Sequence, residues 1–75
     1  MSGFALFETS IGMCALAWGP HGLVGVQLPA DNGEPATRAR MRQRFPDLQE
    51  GPPNEMAQRA VDAIQGLLRG VHDDL

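Results

Sequence analysis

The chain has 75 residues, with nine acids against six bases, all six of them arginine, and a formal net charge of −3. A chain of that length forms one domain that buries only about 60% of its unfolded surface, which leaves little room for a large enclosed active site. So mild an acidic balance offers no general attraction to nucleic acid or to an anionic membrane, and a single cysteine, Cys14, excludes both an intramolecular disulfide and a cysteine-based zinc framework.

The opening MSGFALFETS lacks the basic start and long apolar run of a signal peptide. No later stretch approaches the roughly 20 apolar residues of a membrane span. The chain therefore reads as cytoplasmic, with no membrane partner.

Taken in order, Phe4, Leu6 and Phe7 mark a first strand that ends at Glu8 or Thr9. Ser10 to Gly12 turn the chain into a second strand, in which Cys14, Leu16 and Trp18 share one face and Met13, Ala15 and Ala17 the other. Gly19, Pro20, His21 and Gly22 form a loop whose glycines supply positive φ and whose proline sets a turn position. It returns the chain as Leu23 to Leu28. If the even-numbered residues of these two strands face the helices, Cys14, Leu16, Val26 and Leu28 form the centre of the core, and Gly25 and Gln27 face outward.

Pro29 to Glu34 is a loop by composition, with Asn32 and Gly33 as its turn residues. Pro35 suits the first turn of a helix, where its missing N–H would have no partner anyway, and this first helix runs from about Pro35 to Phe45, stopping before Pro46. Met41, Phe45 and Leu48 can cover one side of the sheet. Arg38 with Arg42, and Arg40 with Arg44, are like-charge pairs at i,i+4, which makes the isolated helix weak.

Pro46 to Pro53 is a linker loop. Asn54 is a good N-cap for a second helix, with Glu55 in its first turn. The apolar positions Ala57, Val61, Ile64, Leu68 and Val71, with Ala60 and Leu67 alongside, recur at three- and four-residue steps and make one continuous stripe. Gly70 or the residues just after it end this helix. The fold class that results is α/β in the α+β sense: a small antiparallel three-stranded sheet with two helices.

Several residues could carry chemistry, and each has a plainer reading. A nucleophilic or redox cysteine needs a cation, a base or a helix N-terminus to become thiolate, whereas Cys14 has only Met13 and Ala15 beside it; it reads as a buried structural thiol. His21 and His72 lie more than fifty positions apart with no third ligand, so they read as solvated and not as a metal site. Arg38, Arg40, Arg42 and Arg44 could meet phosphates, but their even spacing spreads them around a helix instead of gathering them in one patch. Asp73 and Asp74 are adjacent acids that read as solvated. Glu8 is the only acid in the strands, which excludes the several sheet carboxylates of a two-metal nuclease. No catalytic, metal-binding or DNA-binding residue, and no cofactor, is assigned to this chain.

The stretch FETSIGMCALAWGPHGLVGVQLP resembles the N-terminal domain of bacterial methylated-DNA protein-cysteine methyltransferases. The resembling features are Thr9, Ser10, Ile11 and Gly12 as a Thr/Ser-x-x-Gly opening, then Trp18-Gly19, Gly22-Leu23 and Val26-Gln27-Leu28-Pro29. Ala36-Thr37-Arg38-Ala39, Arg44-Phe45-Pro46 and a helix like Ala60 to Leu68 follow in the family's order, so the resemblance covers nearly the whole chain.

The resemblance implies a single ribonuclease-H-like domain over residues 1–75 that does no chemistry itself. In that family a separate C-terminal domain, with a helix-turn-helix and a Pro-Cys-His-Arg site, accepts the alkyl group from guanine in suicide repair of DNA. Cys14 is followed by Ala15 and not by histidine, so the acceptor role does not transfer to it. The zinc site of some members does not transfer either. The implied role is to brace a catalytic domain in cis or in trans, with DNA met only through that domain. A domain piece, or a truncated or split reading frame, is the expected reason that no such domain is present. The rival expectation is a free-standing interaction or dimerisation module whose open sheet edge pairs with a partner or, weakly, with itself.

Overall fold

The structure, a computed structural model, describes residues 2–73, with side chains to residue 70. Three strands, β1 (Gly3–Thr9), β2 (Gly12–Gly19) and β3 (Gly22–Gln27), are followed by α1 (Glu34–Arg44) and α2 (Glu55–Asp73). The strands form an antiparallel sheet in the order β1-β2-β3.

Both hairpins are tight. Thr9 pairs with Gly12 and Gly19 with Gly22, so only Ser10–Ile11 and Pro20–His21 lie outside the ladders. Gly12 and Gly22, at φ 125° and 131°, take backbone conformations that a Cβ would strain. The first turn is also held by its own side chain: the Thr9 hydroxyl donates to the Gly12 carbonyl at 2.7 Å and accepts from the Ile11 N–H at 3.2 Å.

The helices lie on opposite faces of the sheet. On one face Ala57 and Val61 of α2 pack with Ala5, Phe7, Cys14, Leu16 and Trp18, supported by Ala60, Ile64 and Leu68. On the other, Met41 of α1 packs with Phe4, Ala15 and Ala17, supported by Leu6, Phe45 and Leu48. The central strand β2 is thus buried from Cys14 to Gly19 on both sides, which is why it reads as a continuous apolar run. Its α1 face is lined by the small residues Ala15 and Ala17, so α1 sits close to the sheet.

This arrangement corrects the expected core. Cys14 and Leu16 are at its centre, but Val26 and Leu28 are 42% and 64% exposed. Val26 does pair with Leu16 and shares its face, yet the residues that α2 buries there belong to β1 and β2, and β3 is left at the rim. Gly25, expected to face outward, instead lies under α1: a Cβ there would meet the Phe45 ring. Leu67, expected beside the α2 stripe, is 68% exposed. The side chain of Val71 lies outside the described residues.

The helix termini follow local rules. Asn54 Oδ1 accepts from the Ala57 N–H at 2.8 Å, as expected of an N-cap. Helix α1 has no side-chain cap; Gly33, at φ 81°, turns the chain into it and Pro35 lies in its first turn. The loop after α1 returns alongside β1, where Phe4 donates to the Gln49 carbonyl at 3.1 Å and Gly51 donates to the Phe4 carbonyl at 3.0 Å. That is a single parallel bridge, Phe4 with Glu50, on the outer edge of β1.

Candidate functional site

Cys14 is 1% exposed and surrounded by the α2-side core. Its nearest polar neighbour is the Thr9 hydroxyl, 3.7 Å from Sγ. Among the described residues its sulfur makes no hydrogen bond or ion pair with a cation or a general base. His21 is exposed at the tip of the β2–β3 turn. The side chains of His72 and Asp73, and all of Asp74, lie outside the described residues. Among the described residues no three His, Cys, Asp or Glu side chains gather as a metal site would require.

The α1 arginines divide into two pairs of unlike surroundings. Arg38 meets both oxygens of Glu50, Nε to Oε1 at 2.6 Å and Nη2 to Oε2 at 3.1 Å, and donates through Nη1 to Glu34 Oε2 at 3.2 Å. Hydrogen bonding to the Arg38 fork holds the Glu50 carboxyl below its ordinary range against the opposing effect of desolvation, with further help from the charges of Arg38 and Arg42. The same hydrogen bonds raise the Arg38 guanidinium above its already high value. This side of α1 is therefore committed to clamping the returning loop against β1.

On the other side, Arg44 reaches over β3. Its Nη1 donates to the Val26 carbonyl and to Gln27 Oε1, each at 3.1 Å, and its guanidinium carbon lies 5.0 Å from the centre of the Phe45 ring. Arg40, one turn earlier, joins Gln27, Gln43 and Arg44 around a polar hollow of about 360 Å³. Across Arg44 lies a second hollow of about 370 Å³, mainly apolar, whose walls include Trp18, Pro20, Val24, Phe45 and Pro46. Among the described residues the ion pairs are Arg38 with Glu34 and Glu50, and Arg59 with Glu55, so Arg40 and Arg44 have no carboxylate partner there.

The even spacing of the arginines does not form one patch, but it does place Arg40 and Arg44 together at the free edge of the sheet. Sequence reasoning missed Glu50 and Thr37. The Glu34–Arg38 pair was legible at i,i+4, whereas Glu50 lies twelve residues from Arg38 in a segment that reads only as loop. Thr37 is fully buried. Its hydroxyl lies 3.1 Å from the Met13 carbonyl and 3.2 Å from the Gly33 carbonyl, either of which it can donate to, and it accepts from the Ala30 N–H at 3.2 Å. It thereby ties the post-β3 loop and α1 to β2 where β3 has already ended.

The geometry defines an α+β domain with a helix on each face of its sheet and no assembled catalytic constellation among the described residues. Compared with protein-family models, curated proteins and solved structures, the chain matches none.

Proposed function

We propose that this chain is the non-catalytic N-terminal domain of a methylated-DNA protein-cysteine S-methyltransferase, a suicide DNA-repair protein, and that it braces the domain that carries the acceptor cysteine. The observation that carries this reading is the ordered run of family-like motifs from Thr9 to Leu68. Several of these residues have definite structural work to do. Thr9 and Gly12 build the first turn, the Pro29 ring packs closely against Gly12, its Cβ 3.1 Å from where a side chain there would begin, and Thr37 bolts α1 to the sheet. An antiparallel meander, a helix and a return alongside β1 also support a ribonuclease-H-like sheet. The enclosure of Cys14 by carbon supports a role without alkyl transfer.

The reading places the protein in the cytoplasm and its contact with DNA in the partner domain alone. It is tested by sequencing the hundred or so codons that follow Leu75 in the gene, where a Pro-Cys-His-Arg motif is expected. Incubation of the chain with alkylated duplex DNA should leave its mass unchanged; a methyl group on Cys14 would overturn the assignment. A second reading, a free-standing interaction module, is favoured by the open edge of β3 and by the exposure of Leu23, Val24, Val26 and Leu28. A tight dimer in sedimentation would support that alternative.

A further inference from the structure

We infer that the free edge of β3, with the two hollows that flank Arg44, is a docking site for an extended peptide segment carrying an apolar side chain and, two residues away, a carboxylate. The inference goes beyond the bracing role and holds whether or not a catalytic domain follows.

An edge strand presents unpaired backbone donors and acceptors, which an added strand can satisfy. β3 is such an edge, and Arg44 already donates to one of its carbonyls, that of Val26. Residues two apart on an added strand project to the same face, about 6.6 Å apart along it. Along that face the apolar hollow by Val24 and Phe45 precedes the polar one by Gln27 and Arg40. The first suits a branched aliphatic or aromatic side chain. The second suits a carboxylate, because Arg40 and Arg44 have no acid partner among the described residues. Asp47, on the wall of the apolar hollow, disfavours an acid at that end.

The charges also discriminate among occupants. A second copy offers no acid between Gly22 and Leu28 of its own β3 to meet Arg40 and Arg44. A single-stranded nucleic acid could satisfy the arginines and stack a base in the apolar hollow, but its backbone lacks the alternating N–H and C=O groups that pair with a strand edge. An acidic peptide satisfies all three features.

The test uses the uniformly ¹⁵N-labelled chain titrated with the peptide acetyl-Thr-Thr-Leu-Thr-Glu-Thr-Glu-amide and, separately, with the peptide of reversed order, so that both strand directions are covered. Amide shifts are expected over Leu23–Gln27 and around Arg40, Gln43 and Arg44. Replacing the glutamates by lysine should abolish binding. N-methylating alternate peptide amides should weaken it at least tenfold for one set and leave the other unchanged. The Arg40→Glu variant, altered at an exposed position outside the core, should bind at least tenfold more weakly while its own amide spectrum remains that of the folded chain. The proposal is overturned if millimolar peptide leaves these amides in place, or if neither N-methylated set loses affinity. It is equally overturned if a single-stranded oligonucleotide shifts the same amides where the peptide does not, or if the chain sediments as a dimer and the Leu23–Gln27 amides shift on dilution.

Discussion

The ring of Phe45 occupies the space that a side chain at position 25 would need: a Cβ built on Gly25 meets Phe45 Cζ at 2.6 Å and Arg44 Nη2 at 3.1 Å. The last turn of α1 can therefore rest directly on β3, and it holds Arg44 across the strand edge. Gly25→Ala is expected to push Phe45 out of its packing and to destabilise the fold by about 1–2 kcal/mol, in the range of overpacked sites. Chemical denaturation followed by Trp18 fluorescence measures this. An unchanged midpoint would show that α1 can withdraw from β3 at no cost.

From a fully buried position the Thr37 hydroxyl accepts from the Ala30 N–H and donates to the carbonyl of either Met13 or Gly33. Thr37→Val keeps the shape and removes the hydroxyl, leaving the Ala30 N–H without that partner. A loss of about 1–3 kcal/mol is expected, which for a domain of this size lowers Tm by roughly 4–8 °C per kcal/mol. Thr37→Ser should retain most of the stability, and equal losses in the two variants would refute the hydrogen-bond account.

The Arg38–Glu50 clamp makes stability depend on pH in a definite direction. Glu50 titrates below its ordinary value of about 4.5 in the folded chain, so the unfolded chain takes up the proton first as pH falls. The contribution is complete above that ordinary value and is lost as pH drops through the lower folded one. Melting curves from pH 7 to pH 3 should therefore show a steeper acid-side decline for the native chain than for Glu50→Gln, with the variant less stable at pH 7. Parallel curves would remove Glu50 from the account.

Cys14 should be inert while the chain is folded. With its thiol enclosed by Phe7, Leu16 and Trp18, reaction with an aromatic disulfide must await opening of the core. A rate roughly a hundredfold or more below that of the same chain in denaturant is expected if opening costs about 3 kcal/mol. Native reaction as fast as that of free cysteine would show that the α2 side of the core is open.

What the sequence by itself determined is the order and type of the elements, because these depend on neighbours. The turns around Gly12 and between Gly19 and Gly22, Asn54 as a cap, Pro35 inside the first turn of α1 and the three- and four-residue steps from Ala57 to Leu68 each act within one turn of chain. The expected four-residue loop nevertheless closes to two, because Gly19 and Gly22 pair. The burial of Cys14 was legible for a similar reason, since both of its neighbours are apolar. Only the tertiary structure decided which helix covers which face. β2 is apolar on both sides, so alternation cannot say whether two helices share one side or take one each, and burial of carbon surface is non-directional. The exposure of Val26 and Leu28 follows from where α2 comes to rest, not from anything in their own stretch. The same holds for Glu50 on Arg38, Phe45 over Gly25 and Arg44 on the edge of β3. These contacts join residues twelve or more apart in sequence, and no local pattern of residues marks them before the helices are in place.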